Sequence, residues 1–131
     1  MRQVTRNVDL KAVQDLLERP PRACLCYAGQ QGPQAQPIVF RWHNGRYLAG
    51  IDAAARVEVD SEPRSGVEVV LLIDGGIQWF DLRAVYVRGL VTATDAPDGA
   101  PAGHRWFEVA PETTVAWDYG RLRDVGGETG R

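Results

Sequence analysis

The stretch Pro37-Ile38-Val39-Phe40-Arg41-Trp42-His43-Asn44-Gly45-Arg46-Tyr47-Leu48-Ala49-Gly50-Ile51 decides the fold. Two runs rich in β-branched and aromatic residues flank Asn44-Gly45, and an Asn-Gly pair supplies the two positive φ angles of a type I′ turn. The stretch therefore predicts a hairpin with a two-residue turn. Counting back from the turn sets the register: His43 opposite Arg46, Trp42 opposite Tyr47, Arg41 opposite Leu48, Phe40 opposite Ala49 and Val39 opposite Gly50. Alternation then sorts two faces. Ile38, Phe40, Trp42, Tyr47, Ala49 and Ile51 make an apolar face that belongs in a core. Val39, Arg41, His43, Arg46, Leu48 and Gly50 make a mixed face, notched at Gly50. A notch beside an arginine suits a ligand.

Upstream, Asn7 or Asp9 can cap a helix, with Val8, Leu10, Val13, Leu16 and Leu17 on one face and Pro20-Pro21 as the stop. Ala23 to Ala28 reads as a short apolar strand, followed by a loop from Gly29 to Pro33. Downstream, Asp52 to Glu62 favours a short helix ended by Pro63. Val67 to Ile73 reads as a strand buried on both faces. Asp74-Gly75-Gly76 turns the chain into a long arm, Ile77 through Thr94, with Val85, Val87 and Val91 on one face. Ala96 to Gly103 is a loop, His104 to Val109 a short turn leading through Pro111, and Thr113 to Trp117 a last strand. The tail from Asp124 has too little apolar content to pack, so residues 1–7 and 124–131 are expected to fray. One helix followed by five or six short apolar strands needs closure to hide its edges. The expected fold is mainly β: a single domain over residues 1–131, built as a six-stranded antiparallel split β-barrel with an N-terminal helix and short connecting helices.

The chain has 131 residues, 44% hydrophobic and 24% charged, so it can bury a core without staples. A net charge of −2 gives no general attraction to nucleic acid or anionic membrane. No run approaches the ~20 apolar residues of a membrane span, and no apolar segment follows the N-terminal charges as a secretory signal would. Cys24 and Cys26 lie two apart in an apolar run, which places them on one strand face, awkward for a disulfide, and they read as buried thiols. No histidine or second cysteine pair completes a zinc set. The expected location is the cytoplasm.

Chemistry-bearing motifs are sparse. The sequence has no G-x-G-x-x-G after a strand, no P-loop, no G-x-S-x-G and no H-E-x-x-H. His43 beside a turn and His104 beside Trp106 read as solvated side chains rather than general bases. The candidate anion-binding groups are Arg41, Arg46, Arg56, Arg83 and Arg88, because a cofactor phosphate in a partly dry groove needs two or more converging cations. Arg56 stands where the second hairpin strand gives way to the expected helix, whose first N–H groups favour anions. Trp79, Phe80, Trp106 and Trp117 belong to the core or to a dimer interface.

The ordered series Leu16-Leu17, Ala23 to Cys26, Pro37 to Trp42, Tyr47 to Ile51, Ala55-Arg56 before Pro63, Val67 to Asp74, Asp81 to Gly89 and Val115 to Tyr119 resembles the pyridoxamine-5′-phosphate-oxidase-like superfamily of flavin- and deazaflavin-binding split barrels. The resemblance runs from the first helix to Leu122. It implies a homodimer with FMN, or alternatively the deazaflavin F420, in the groove between subunits. It also implies an oxidoreductase that moves a hydride to or from a small organic substrate. Carried over by position, the cofactor-binding residues would be Val39, Arg41, Gly50, Ile51, Asp52, Ala55, Arg56 and Arg83, with no metal. The family's basic phosphate pair reads Ala55-Arg56 here, and Ala53-Ala54 replace the polar residue usual before it. That thinning opens a second expectation, a non-catalytic carrier of a cofactor or of haem.

Overall fold

Asn44 and Gly45 stand at φ 52° and 76°, the two left-handed positions of the expected turn. The strands on either side pair in the expected register, from His43 opposite Arg46 to Val39 opposite Gly50. The computed structural model describes residues 7–29, 32–54 and 63–119, without the side chains of Asn7 and Trp79.

In chain order the elements are β1 (Asn7–Val8), a 3-10 turn (Leu10–Val13), α1 (Gln14–Glu18), β2 (Arg22–Gly29), β3 (Gly32–His43), β4 (Arg46–Asp52), β5 (Glu68–Gly75), a 3-10 turn (Trp79–Asp81), β6 (Arg83–Thr94) and β7 (His104–Asp118). All pairings are antiparallel. Strands follow the order β7-β4-β3-β2-β5-β6, and β6 pairs back onto β7, which closes a six-stranded barrel; β1 adds to the other edge of β7. Closure leaves β3 and β6 on opposite sides of the ring.

Inward residues alternate with outward ones on every strand, as the two-residue period requires. Leu25, Phe40, Ile51, Leu71, Val87 and Phe107 contribute to the core, each almost fully buried. α1 has only five residues, too few to hold by itself. Packing holds it, since Leu16 and Leu17 join the barrel core together with Val13.

Several boundaries differ from the sequence expectation, each for a physical reason. The N-terminal helix starts after Asp9, whose side chain makes no capping bond, but it is split at Val13 (φ −125°, ψ 20°) into a 3-10 turn and the five-residue α1, while Val8 pairs with Ala116 in β1. The expected loop at Gly29–Pro33 is largely strand, with Gly29 and Gly32 already paired; Gln30 and Gln31 lie outside the described residues. The arm expected from Ile77 begins at Arg83, because the Asp81 carboxylate accepts the Ile77 and Gln78 N–H groups and folds that segment into a turn. The expected turn at His104–Val109 and strand at Thr113–Trp117 are one strand, β7. It passes Pro111 through a bulge opposite Gly89, where any side chain would collide with the Ala110 carbonyl oxygen. The helix expected over Asp52–Glu62 falls mostly on residues 55–62, outside the described residues, as does the tail from Asp124.

Cys24 and Cys26 do share a face, but it is the outer one. They are free and half-buried rather than core thiols, with sulfurs 4.0 Å apart. Burial, reinforced by Cys26, pushes the Cys24 thiol up to about 11. Among the described residues no helix is long and apolar enough to cross a membrane, and no three His, Cys, Asp or Glu side chains gather as a metal site.

Candidate functional site

The mixed face of the β3–β4 hairpin is on the outside of the barrel. Val39 and Gly50 are direct partners there, and Arg41 is the partner of Leu48 two pairs further along. Ile51, expected at the same site, points the other way and is fully buried in the core. Asp52 closes β4 with an exposed carboxylate that accepts the Ala54 N–H at 2.9 Å, while the Ala53 N–H donates to the Gly103 carbonyl at 2.8 Å. These two bonds aim the chain into the segment holding Ala55 and Arg56. That segment is outside the described residues, and so is the expected phosphate contact.

The arginines sort by partner. Arg83 sits on β6, across the ring from β3, and makes a two-pronged bond to Asp15 at 2.6 and 2.9 Å. The Arg83 guanidinium holds the Asp15 carboxyl below its ordinary value of 3.8. The structure therefore does not bring Arg83 together with Arg41. Arg46 pairs with Glu108 at 2.7 Å and lowers that carboxyl too. Arg88 stands 3.8 Å from Glu68. Arg41 is exposed, its guanidinium donates to the Phe40 carbonyl at 3.1 Å, and no described carboxylate lies within ion-pair distance of it. A cation in that setting can take an anionic group at little desolvation cost.

The Gly50 notch exists, but it is filled. Trp106 is the partner of Gly50 on β7, and a Cβ built on Gly50 would stand 2.7 Å from the indole Cζ2. Trp106 is 4% exposed, and its Nε1 is buried with no hydrogen-bond partner among the described residues. Beside it a cleft of about 330 Å³ opens between the end of β6 and the start of β7, lined by Thr94, Asp95, Ala96, His104 and Trp106 itself. His104 lies with its ring 6.4 Å from that of Trp106 and its Nδ1 3.1 Å from the Ala102 carbonyl oxygen.

Sequence reasoning grouped Trp106 with the other large aromatics and could not single it out. Its place over Gly50 depends on the pairing of β4 with β7, which spans more than fifty residues and leaves no local signal. The usable hint was the bare Gly50 in an otherwise bulky strand, since such a glycine marks close approach by something else.

Solved structures carry this architecture. A FAD-binding protein from Mycobacterium smegmatis superposes with a TM-score of 0.64 at 18% identity, covering 85% of this chain and 96% of that one. The fold is that of the pyridoxamine-5′-phosphate-oxidase-like split barrels. A proposed pyridoxamine 5′-phosphate oxidase from Corynebacterium glutamicum matches with a TM-score of 0.59 at 9% identity, over 89% of this chain and 94% of its own. The haem storage protein of Vibrio cholerae matches with a TM-score of 0.59 at 12% identity, over 82% and 93%. No family model and no curated protein matches the sequence. At these identities the split barrels share a fold with this chain, and the function has to be argued from its own site.

Proposed function

We propose that this split barrel binds a flavin against the outer face of β3 and β4 as a homodimer. As an oxidoreductase it would use FMN, or alternatively F420, to move a hydride to or from a small organic substrate. The observation that carries the reading is Arg41: an exposed cation with no described carboxylate partner, on the same outer face as Val39 and Gly50. Solved neighbours of the same fold include a protein that binds FAD, which supports a flavin as the class of ligand. A bound flavin supplies the redox chemistry, and the chain supplies orientation and charge. Arg41 and the strand edge suit the anionic and polar parts of such a ligand, and Arg56 is the proposed phosphate contact. The floor at Gly50 does not suit a flat ring while Trp106 covers it.

Leu48 is 2% exposed and Gly50 lies under Trp106, so both are covered within one protomer. The outer face of β5, β6 and β7 is less well covered. Val70, Leu72, Tyr86, Val115 and Trp117 are half-buried there, with the Tyr86 and Trp117 rings 6.1 Å apart and Leu90 42% exposed. A second copy is proposed to cover this band.

The thinned Ala55-Arg56 pair and the filled notch favour a second reading, a carrier of flavin or haem without turnover. Fluorescence titration with FMN, and separately with F420, tests the main reading. Saturable binding that weakens about ten- to hundredfold in Arg56→Ala, the cost of one lost charged hydrogen bond, supports it. A parent protein that binds neither cofactor overturns it. Sedimentation showing a stable monomer at micromolar concentration would remove the dimer.

A further inference from the structure

Resting on the reading of the β3–β4 face as a ligand groove, we infer that Trp106 gates it. Its indole holds the Gly50 floor, and a flat aromatic ligand of the flavin class seats there when the indole swings into the adjoining cleft.

Three observations carry the inference. First, the floor cannot hold a ligand ring and the indole together, because the indole lies so close to the bare Gly50 backbone that an added Cβ would meet Cζ2, Cε2 and Cη2 at 2.7–2.9 Å. Second, the indole has somewhere to go. The cleft of about 330 Å³ next to it counts Trp106 among its lining residues. Its size falls within the roughly 300–1,000 Å³ of small-ligand pockets. Third, the closed position is costly for the side chain. Nε1 bonds directly to Cε2, one of the atoms over Gly50, and that N–H is buried without an acceptor among the described residues. A buried donor left unmade raises the free energy of the state that holds it. Thr94 and Asp95, both of which carry acceptor oxygens, are among the residues that line the cleft. The closed state keeps the apolar burial of the ring and forfeits the hydrogen bond, whereas the open state reverses the exchange. Such a side chain is poised between two positions, and a ligand that binds only the open one shifts the balance.

The gate lowers apparent affinity by the fraction of molecules that stand open. Trp106→Ala removes the gate and should tighten FMN binding on the order of tenfold, since every molecule is then competent. A second measurement uses the parent protein labelled with 5-fluorotryptophan. Its four tryptophans give four ¹⁹F resonances, and Trp106→Phe assigns one of them by deletion. Saturating FMN should shift the Trp106 resonance and make it sensitive to exchange into D₂O, while the Trp42 resonance stays in place. Should Trp106→Ala fail to fold, the ¹⁹F measurement decides alone. A parent that binds FMN with an unmoved Trp106 resonance, and a Trp106→Ala variant that binds no tighter, overturn the gate and leave the groove reading standing. FMN binding to Trp106→Ala but not to the parent overturns the gate, because the indole is then a fixed plug that does not open for the ligand. If FMN binds neither protein, the groove reading falls and takes the gate with it.

Discussion

Gly50 and Trp106 face each other across β4 and β7, and the indole of one occupies the space where the other would carry a side chain. The contact makes two positions far apart in sequence depend on each other. Gly50→Ala places a methyl group 2.7 Å from Cζ2 and must displace a ring that is 4% exposed. Overpacking of this kind costs roughly 1–3 kcal/mol. Urea denaturation should show that loss. A Gly50→Ala variant as stable as the parent would mean that the indole is not anchored over the backbone.

The hairpin around Asn44-Gly45 was fully legible because everything that sets it is local: two residues that tolerate positive φ, and alternation on either side. Its register and its inner face, Phe40, Tyr47, Ala49 and Ile51, follow directly. β7 is one strand where the sequence suggests a short turn at His104–Val109 and a separate strand at Thr113–Trp117, with Pro111 between them. Whether a proline ends a strand or sits in a bulge depends on what faces it, and the Gly89 that makes room lies on another strand. The site was legible in halves. Gly50 and Arg41 were identified from the hairpin alone, but the residue filling the notch arrives through a non-local pairing. The partners that occupy Arg46 and Arg83, Glu108 and Asp15, are likewise remote in sequence.

Asp15 ties α1 to the start of β6 through Arg83. The pair lowers the Asp15 carboxyl from 3.8 in the folded protein, so the stability it adds is fully present above that value and is lost as pH falls through the lowered one. The side chains are 53% and 32% exposed, and solvent screening keeps the contribution to a few tenths of a kcal/mol, at most about 1. Asp15→Asn should lower stability slightly at pH 7 and flatten the acid limb below about pH 4. Denaturant midpoints measured from pH 7 to pH 2.5 check this; parallel curves for variant and parent would show that the pair contributes nothing.

The Cys24 thiol is pushed up to about 11 from an ordinary 9.0. Ionisation is therefore easier in the unfolded chain, and stability should fall as pH rises above 9. At pH 8 the thiolate fraction is about a hundredfold below that of an unperturbed thiol, so alkylation by iodoacetamide should be slower by about that factor. The measurement is the rate of Cys24 modification against pH, followed by peptide mapping. A rate at pH 8 matching a free thiol would place Cys24 in water rather than on a half-buried sheet face.

The central claim is that the outer face of β3 and β4 is a flavin groove, and the purified protein tests it most directly. An absorbance spectrum, followed by mass spectrometry of whatever heating releases, should show a flavin-type chromophore with the mass of FMN or F420, or should show it once the protein has been incubated with the cofactor and desalted. A colourless protein that retains neither cofactor after incubation and releases nothing on heating would contradict the account.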